Sequence, residues 1–130
     1  MIGLDTNVVI RYLMQDDVQQ AERATTFIER QLSAENPGFI SLVVLTEVVW
    51  VLRSCYSIDR DDIGRTIRAL LETRQLWIER TDLVVRTLRR YADRAADFSD
   101  ALIMELATDR GCSETVSFDR KANALGMRML

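Results

Sequence analysis

The chain has 130 residues, 48% of them hydrophobic and 28% charged, with one proline and five glycines. That composition fits one folded domain with a single core and excludes a linker-rich or disordered chain. Histidine is absent, which removes Ser-His-Asp triads, Cys-His pairs, HExxH zinc sites and histidine bases together. The net charge of −3 argues on its face against a nucleic-acid partner.

The first residues, Met1-Ile2-Gly3-Leu4-Asp5-Thr6-Asn7, end an apolar run abruptly in a carboxylate. They read as a short buried strand that delivers Asp5 to its C-terminal end, where an open parallel sheet lines its ligand crevice. A helix through Val8–Met14 then starts on a cap-capable residue, Thr6 or Asn7. Asp5 read alone is a plain helix cap. Asp16-Asp17 caps a longer helix running to about Ser33, with Val18, Ala21, Ala24, Phe27, Ile28 and Leu32 at helical spacing. Asn36-Pro37-Gly38 breaks the chain.

Phe39-Ile40-Ser41 predicts a second strand, and Leu42–Cys55 a helix apolar nearly all round, hence buried or covered by a partner. Glu47 lies within its first two turns, conspicuous in that setting but equally suited to the positive end of a helix dipole. Asp59 caps the next helix, which carries Ile63, Ile67, Leu70 and Leu71. Leu76–Arg80 predicts a third strand, and Asp82 caps a helix through about Ala95 bearing Arg86, Arg89, Arg90 and Arg94. Asp97 or Ser99 caps the helix that runs to Arg110 and ends at Gly111, with Asp100 in its first turn. Glu114–Ser117 predicts a fourth strand, followed at once by Phe118-Asp119, then a short helix over Arg120–Leu125 and an edge strand over Met127–Leu130. Strand and helix alternate throughout, which predicts an α/β fold on a parallel sheet.

Asp5, Glu47, Asp100 and Asp119 thus all fall at strand ends or in early helix turns, which right-handed crossovers place on one edge of a parallel sheet. Four carboxylates gathered there repel one another unless a cation neutralises them. Without histidine or thiolate ligands, the fitting ion is hard, Mg²⁺ or Mn²⁺. Such a site activates water and stabilises charge on a scissile phosphate, so the chemistry expected is phosphodiester hydrolysis. Asn7, Thr46 and Ser117 are neutral polar neighbours suited to orienting ligands or waters. Cys55 and Cys112 form no CxxC pair and read as buried reduced thiols. No apolar stretch is long enough to span a membrane, and Asp5 interrupts the first apolar run with no basic segment ahead of it. The expectation is a cytoplasmic protein without a signal peptide.

With these motifs the chain resembles the PIN-domain ribonucleases, specifically the VapC-type toxins of toxin–antitoxin pairs. The likeness is carried by Leu4-Asp5-Thr6-Asn7, by Ser41 through Glu47, by Asp97-Phe98-Ser99-Asp100-Ala101-Leu102-Ile103 and by Val116-Ser117-Phe118-Asp119-Arg120. Each motif is weak alone; the ordered set spans essentially the whole chain as one PIN domain over 1–130. The resemblance implies a three-layer α/β/α sandwich around a mainly parallel sheet of four to five strands. It implies that Asp5, Glu47 and Asp100 are metal ligands, with Asp119 at the more variable fourth acidic position. Asn7, Thr46 and Ser117 match supporting positions, and Asp97 is a further supporting acid or a helix cap. An RNA substrate, often transfer or ribosomal RNA, a homodimer and an antitoxin that blocks the acidic site are implied with it. Arg11, Arg86, Arg89, Arg90, Arg94 and Arg120 are candidates for phosphate contacts.

Two other classes compete. A Mg²⁺-dependent phosphotransfer domain of the HAD type wants a second aspartate where Asn7 stands, and a receiver domain wants an early acidic pair and a late lysine that Asp16-Asp17 and Lys121 do not supply at the right places. A catalytically restrained binding module is the other alternative, suggested by the apolar Leu42–Leu52 stretch.

Overall fold

The computed structural model describes residues 1–93 and 96–130, in two compact units, Met1–Glu79 and Arg80–Leu130. The C-terminal end expected for the arginine-bearing helix, with Arg94 and Ala95, lies outside the described residues.

The N-terminal unit runs β1 (Ile2–Gly3), α1 (Thr6–Met14), α2 (Val18–Thr26, continued by a π-helical turn over Phe27–Gln31), β2 (Gly38–Ile40), α3 (Leu42–Cys55), α4 (Arg60–Glu72) and β3 (Leu76–Ile78). The strands form a parallel sheet in the order β1-β2-β3, with Ile2 opposite Gly38 and Gly38 opposite Leu76. The Leu4 N–H donates to Phe39 O and the Glu79 N–H to Ile40 O, both at 2.9 Å. The pairing therefore continues to the C-terminal ends of the strands, and Asp5, Ser41 and Glu79 leave the sheet at that edge. The central strand starts on Gly38 because a Cβ there would sit 2.8 Å from Cδ1 of both Leu4 and Leu32. The helices pack apolar faces inward, Val9 and Ile10 from α1, Leu45, Val48, Val49 and Leu52 from α3, and Ile63, Ile67 and Leu70 from α4. The helix expected to run to Ser33 ends earlier. The Leu32 N–H reaches back five residues to Phe27 O at 3.1 Å, and Leu32 is already extended.

The C-terminal unit comprises α5 (Thr81–Asp93), α6 (Phe98–Asp109), β4 (Val116–Ser117), α7 (Arg120–Asn123) and β5 (Arg128–Met129). β4 and β5 pair in parallel, Val116 opposite Arg128 and Ser117 opposite Met129. α5 and α6 meet through an edge-to-face pair, Tyr91 on Phe98, with ring centroids 5.8 Å apart. Glu105 of α6, buried, accepts hydrogen bonds from Arg86 Nε (3.2 Å) and Arg90 Nε of α5, so its charge is matched from two sides. A second core gathers Ala96, Ala101, Ala122, Leu125 and Met127 under Met104 and Met129. Asp82 is not the cap of α5: the helix begins one residue earlier, and Arg80 grips the Asp82 carboxylate, holding its pKa down to about 2. A charge-assisted guanidinium fork is the stronger partner for a carboxylate at this helix start.

Strands and helices alternate as the sequence predicts, and the fold class is α/β with short parallel strands. Further local readings are corrected. β1, expected as a buried strand, has both of its residues, Ile2 and Gly3, exposed. Cys55 and Cys112 are both exposed, not buried. α3 is apolar nearly all round but buried on one face only: Leu45, Val48, Val49 and Leu52 are covered, while Val43 and Trp50 stand in solvent at 68% and 65% exposure. No helix among the described residues is long and apolar enough to cross a membrane.

Candidate active site

An aspartate at a helix start normally spends its carboxylate on the first backbone N–H groups. Three aspartates here do so. Asp17 accepts from Gln20 N–H (2.9 Å), Asp59 from Asp62 N–H (2.8 Å) and Asp119 from Lys121 N–H (3.0 Å). Asp5 and Asp97 hold the same extended N-cap conformation, yet neither side chain makes a capping bond. α1 thus begins at Thr6 on Asp5 itself, not on a Thr6 or Asn7 cap, and the exposed Asp5 carboxylate is left available.

In the N-terminal unit, Thr6 is buried at the foot of α1 and its hydroxyl donates to Glu47 Oε2 at 3.3 Å. Glu47 lies on α3 at the exposed face shared by Val43 and Trp50. The start of α3 is held twice. Ser41 Oγ accepts from Val44 N–H at 3.1 Å, and Glu79 Oε1, arriving from the end of β3, accepts from Leu42 N–H at 2.9 Å. Sequence reasoning missed both Thr6 as the partner of Glu47 and Glu79 as a second cap. Each depends on residues distant in sequence and carries no local signal. Thr46 turns its hydroxyl back to Leu42 O at 2.8 Å, within its own helix. Asn7 is exposed and lines a cleft of about 800 Å³ with Val8, Arg11, Gln20, Arg23 and Phe27; Asp5 is not among the lining residues.

In the C-terminal unit, Asp100 is half-buried in the first turn of α6. Burial first, then the like charges of Asp97 and Asp119, push its carboxyl above the ordinary range, and Lys121 opposes them weakly. Ser117 Oγ accepts from Asp119 N–H at 2.9 Å, fixing the turn that carries the Asp119 carboxylate. Asp119 therefore caps α7 as well as lying near Asp100, and Ser117 has a local structural role in the turn.

The arginines divide sharply. Arg86 and Arg90 are engaged by Glu105, and Arg11 by Gln20 (2.7 Å) and Asp16 (3.5 Å). Arg89 and Arg120 are exposed.

Among the described residues, no group of three or more His, Cys, Asp or Glu is gathered closely enough to hold a metal ion by itself. The donors nevertheless match a hard cation in kind. They are carboxylate and hydroxyl oxygens throughout, and Mg²⁺ commonly keeps several waters and takes only one or two carboxylates. The crowded negative charge at Asp100 is the kind of electrostatic strain that a cation relieves.

These carboxylates lie near strand ends and helix starts of parallel α/β units. Residues 2–126 match the PIN domain, and the chain belongs to that family. It is similar to the VapC ribonuclease of Aquifex aeolicus (strain VF5), 26% identical over 125 residues that cover 96% of this chain and 92% of that protein.

Proposed function

We propose that this protein is a metal-dependent endoribonuclease that hydrolyses RNA phosphodiester bonds, the VapC-type toxin of a type II toxin–antitoxin pair. The observation that carries the reading is the Asp5 carboxylate, which occupies a helix N-cap and makes no capping bond. The similarity to a VapC ribonuclease along nearly the whole chain points the same way.

In this reading Asp5, Glu47 and Asp100 hold Mg²⁺ or Mn²⁺, with Asp119 as the fourth acid. A cation held there would lower the pKa of a water and offset charge on the scissile phosphate. The protein's own groups do the rest. The Thr6 hydroxyl orients Glu47 through its bond to Oε2. Ser41 and Glu79 fix the start of α3 and hence the height of Glu47 along it. Ser117 fixes the Asp119 turn. Asp97 adds negative charge beside Asp100 and strengthens its preference for a cation. Asn7 and Thr46 complete the supporting set. Partners are an RNA substrate such as transfer or ribosomal RNA, a cognate antitoxin and a second copy of the chain, in the cytoplasm.

The test is induction of the wild type and of Asp5→Asn separately, with growth followed and total RNA resolved alongside. Arrest with discrete RNA fragments for the wild type, and neither for the variant, supports the reading. A binding module held catalytically silent is favoured by one observation, the exposed Val43 and Trp50 that flank Glu47 on α3. Arrest by both proteins without RNA fragments selects it.

A further inference from the structure

We propose that Phe118, with Arg120 and Lys121, forms a ledge that stacks the base of an unpaired RNA nucleotide beside the Asp100 and Asp119 carboxylates. This rests on the ribonuclease reading and adds to it the determinant that selects single-stranded over paired substrate.

Phe118 is 83% exposed, the highest value among the exposed large hydrophobic side chains of the described residues. A phenyl ring left in water forgoes the free energy of its burial, and here the cause is not a loose backbone. The Asp119 N–H is held by Ser117 Oγ at 2.9 Å, and Asp119 Oδ1 holds the Lys121 N–H at 3.0 Å. The Leu130 N–H donates to Ser117 O at 3.0 Å, tying the residue before Phe118 to β5. The ring is therefore presented on a turn bonded on both sides.

The neighbourhood supplies the rest of a nucleotide site. Arg120 and Lys121 follow after Asp119 and are exposed, and neither forms an ion pair among the described residues. Lys121 acts electrostatically on Asp100, which places this cation near the acid. A flat π face with two adjacent cations is the combination that holds single-stranded nucleic acid, the ring stacking a base and the cations meeting phosphate. A base inside a duplex is already stacked on its neighbours, so the ledge favours loops and single strands.

The test is binding of a fluorescein-labelled single-stranded oligoribonucleotide and of its duplex, read by anisotropy with Ca²⁺ in place of Mg²⁺ so that the RNA stays uncut. Phe118→Ala, Phe118→Leu and Phe118→Trp are compared with the wild type, and circular dichroism checks that each is folded. The ledge predicts about ten-fold weaker single-strand binding for Ala and for Leu, near wild-type binding for Trp, and unchanged, weak duplex binding. Leu binding like the wild type, Ala without effect, or no single-strand binding by the wild type overturns it. Phe118-dependent binding by a wild type that never cleaves with Mg²⁺ or Mn²⁺ rejects the nuclease reading and not the ledge. Cleavage with Phe118-independent binding does the reverse.

Discussion

Asp100 carries an electrostatic load that can be read out by pH. Its carboxyl is raised above the ordinary 3.8 by burial and by Asp97 and Asp119. A carboxyl raised in the folded state binds its proton more tightly there than in the unfolded chain. Stability therefore falls as pH rises from the ordinary value through the raised one, and above that the penalty is complete. Asp100→Asn removes it. Without divalent metal, the variant should melt above the wild type at neutral pH, and the gap should close on acidification below the ordinary carboxyl range. Calorimetry across that range checks it; a variant that melts lower at neutral pH rules out the load. The position of Asp5 was legible because an apolar strand stops on it. Its freedom from capping was not, since Asp5 and Asp17 look alike in sequence and only the local geometry at each helix start separates them. The exposure of Cys55 and Cys112 was equally hidden, because the lack of a CxxC pair or any histidine leaves a buried thiol as the ordinary reading of a lone cysteine.

At the scale of elements, α3 is the piece on which positioning depends. Its first cap, Ser41, is the residue the sequence placed at the end of the preceding strand, while its extent, Leu42–Cys55, follows from the sequence pattern. Its second cap, Glu79, does not, because that bond joins residues 37 apart. Glu79→Ala should cost about 1 kcal/mol in urea unfolding, the usual worth of a cap. It should also lower cleavage more than that loss of folded protein explains, because the first turn below Glu47 loosens; cleavage unchanged would sever the cap from the site. In the other unit, Glu105 joins α5 to α6 through Arg86 and Arg90. With the arginine side chains 41% and 34% exposed, solvent screens part of the loss. Glu105→Ala should therefore destabilise by about 1–3 kcal/mol, short of a fully buried pair. A thermal melt indistinguishable from the wild type would mean the two arginines are satisfied by water.

For the whole molecule, a net charge of −3 argues against nucleic acid only while the acids are bare. Divalent ions reverse the sign where they bind. The proposed site exists only in the folded state, so Mg²⁺ or Mn²⁺ should raise the melting temperature with concentration. An Asp5→Asn/Asp100→Asn variant should lose that increment; an equal shift in the variant means the ions bind elsewhere. The succession of strands and helices was legible along the chain, and the PIN match over residues 2–126 agrees with that fold class. What resisted reading was tertiary. The bond from Thr6 to Glu47 spans 41 residues, and the pairing of Arg86 and Arg90 with Glu105 gives two candidate phosphate contacts a part-buried structural partner.

The most direct test of the carboxylate site is cleavage of total RNA by purified wild type, Asp5→Asn and Glu47→Gln, each with Mn²⁺ and with chelator. The account predicts discrete fragments from the wild type with Mn²⁺ alone. Chelator should abolish them, and each substitution should reduce them by at least about 100-fold, the order expected when a charge-stabilising group is lost. Cleavage by the wild type in chelator, or at full rate by Asp5→Asn, would contradict it.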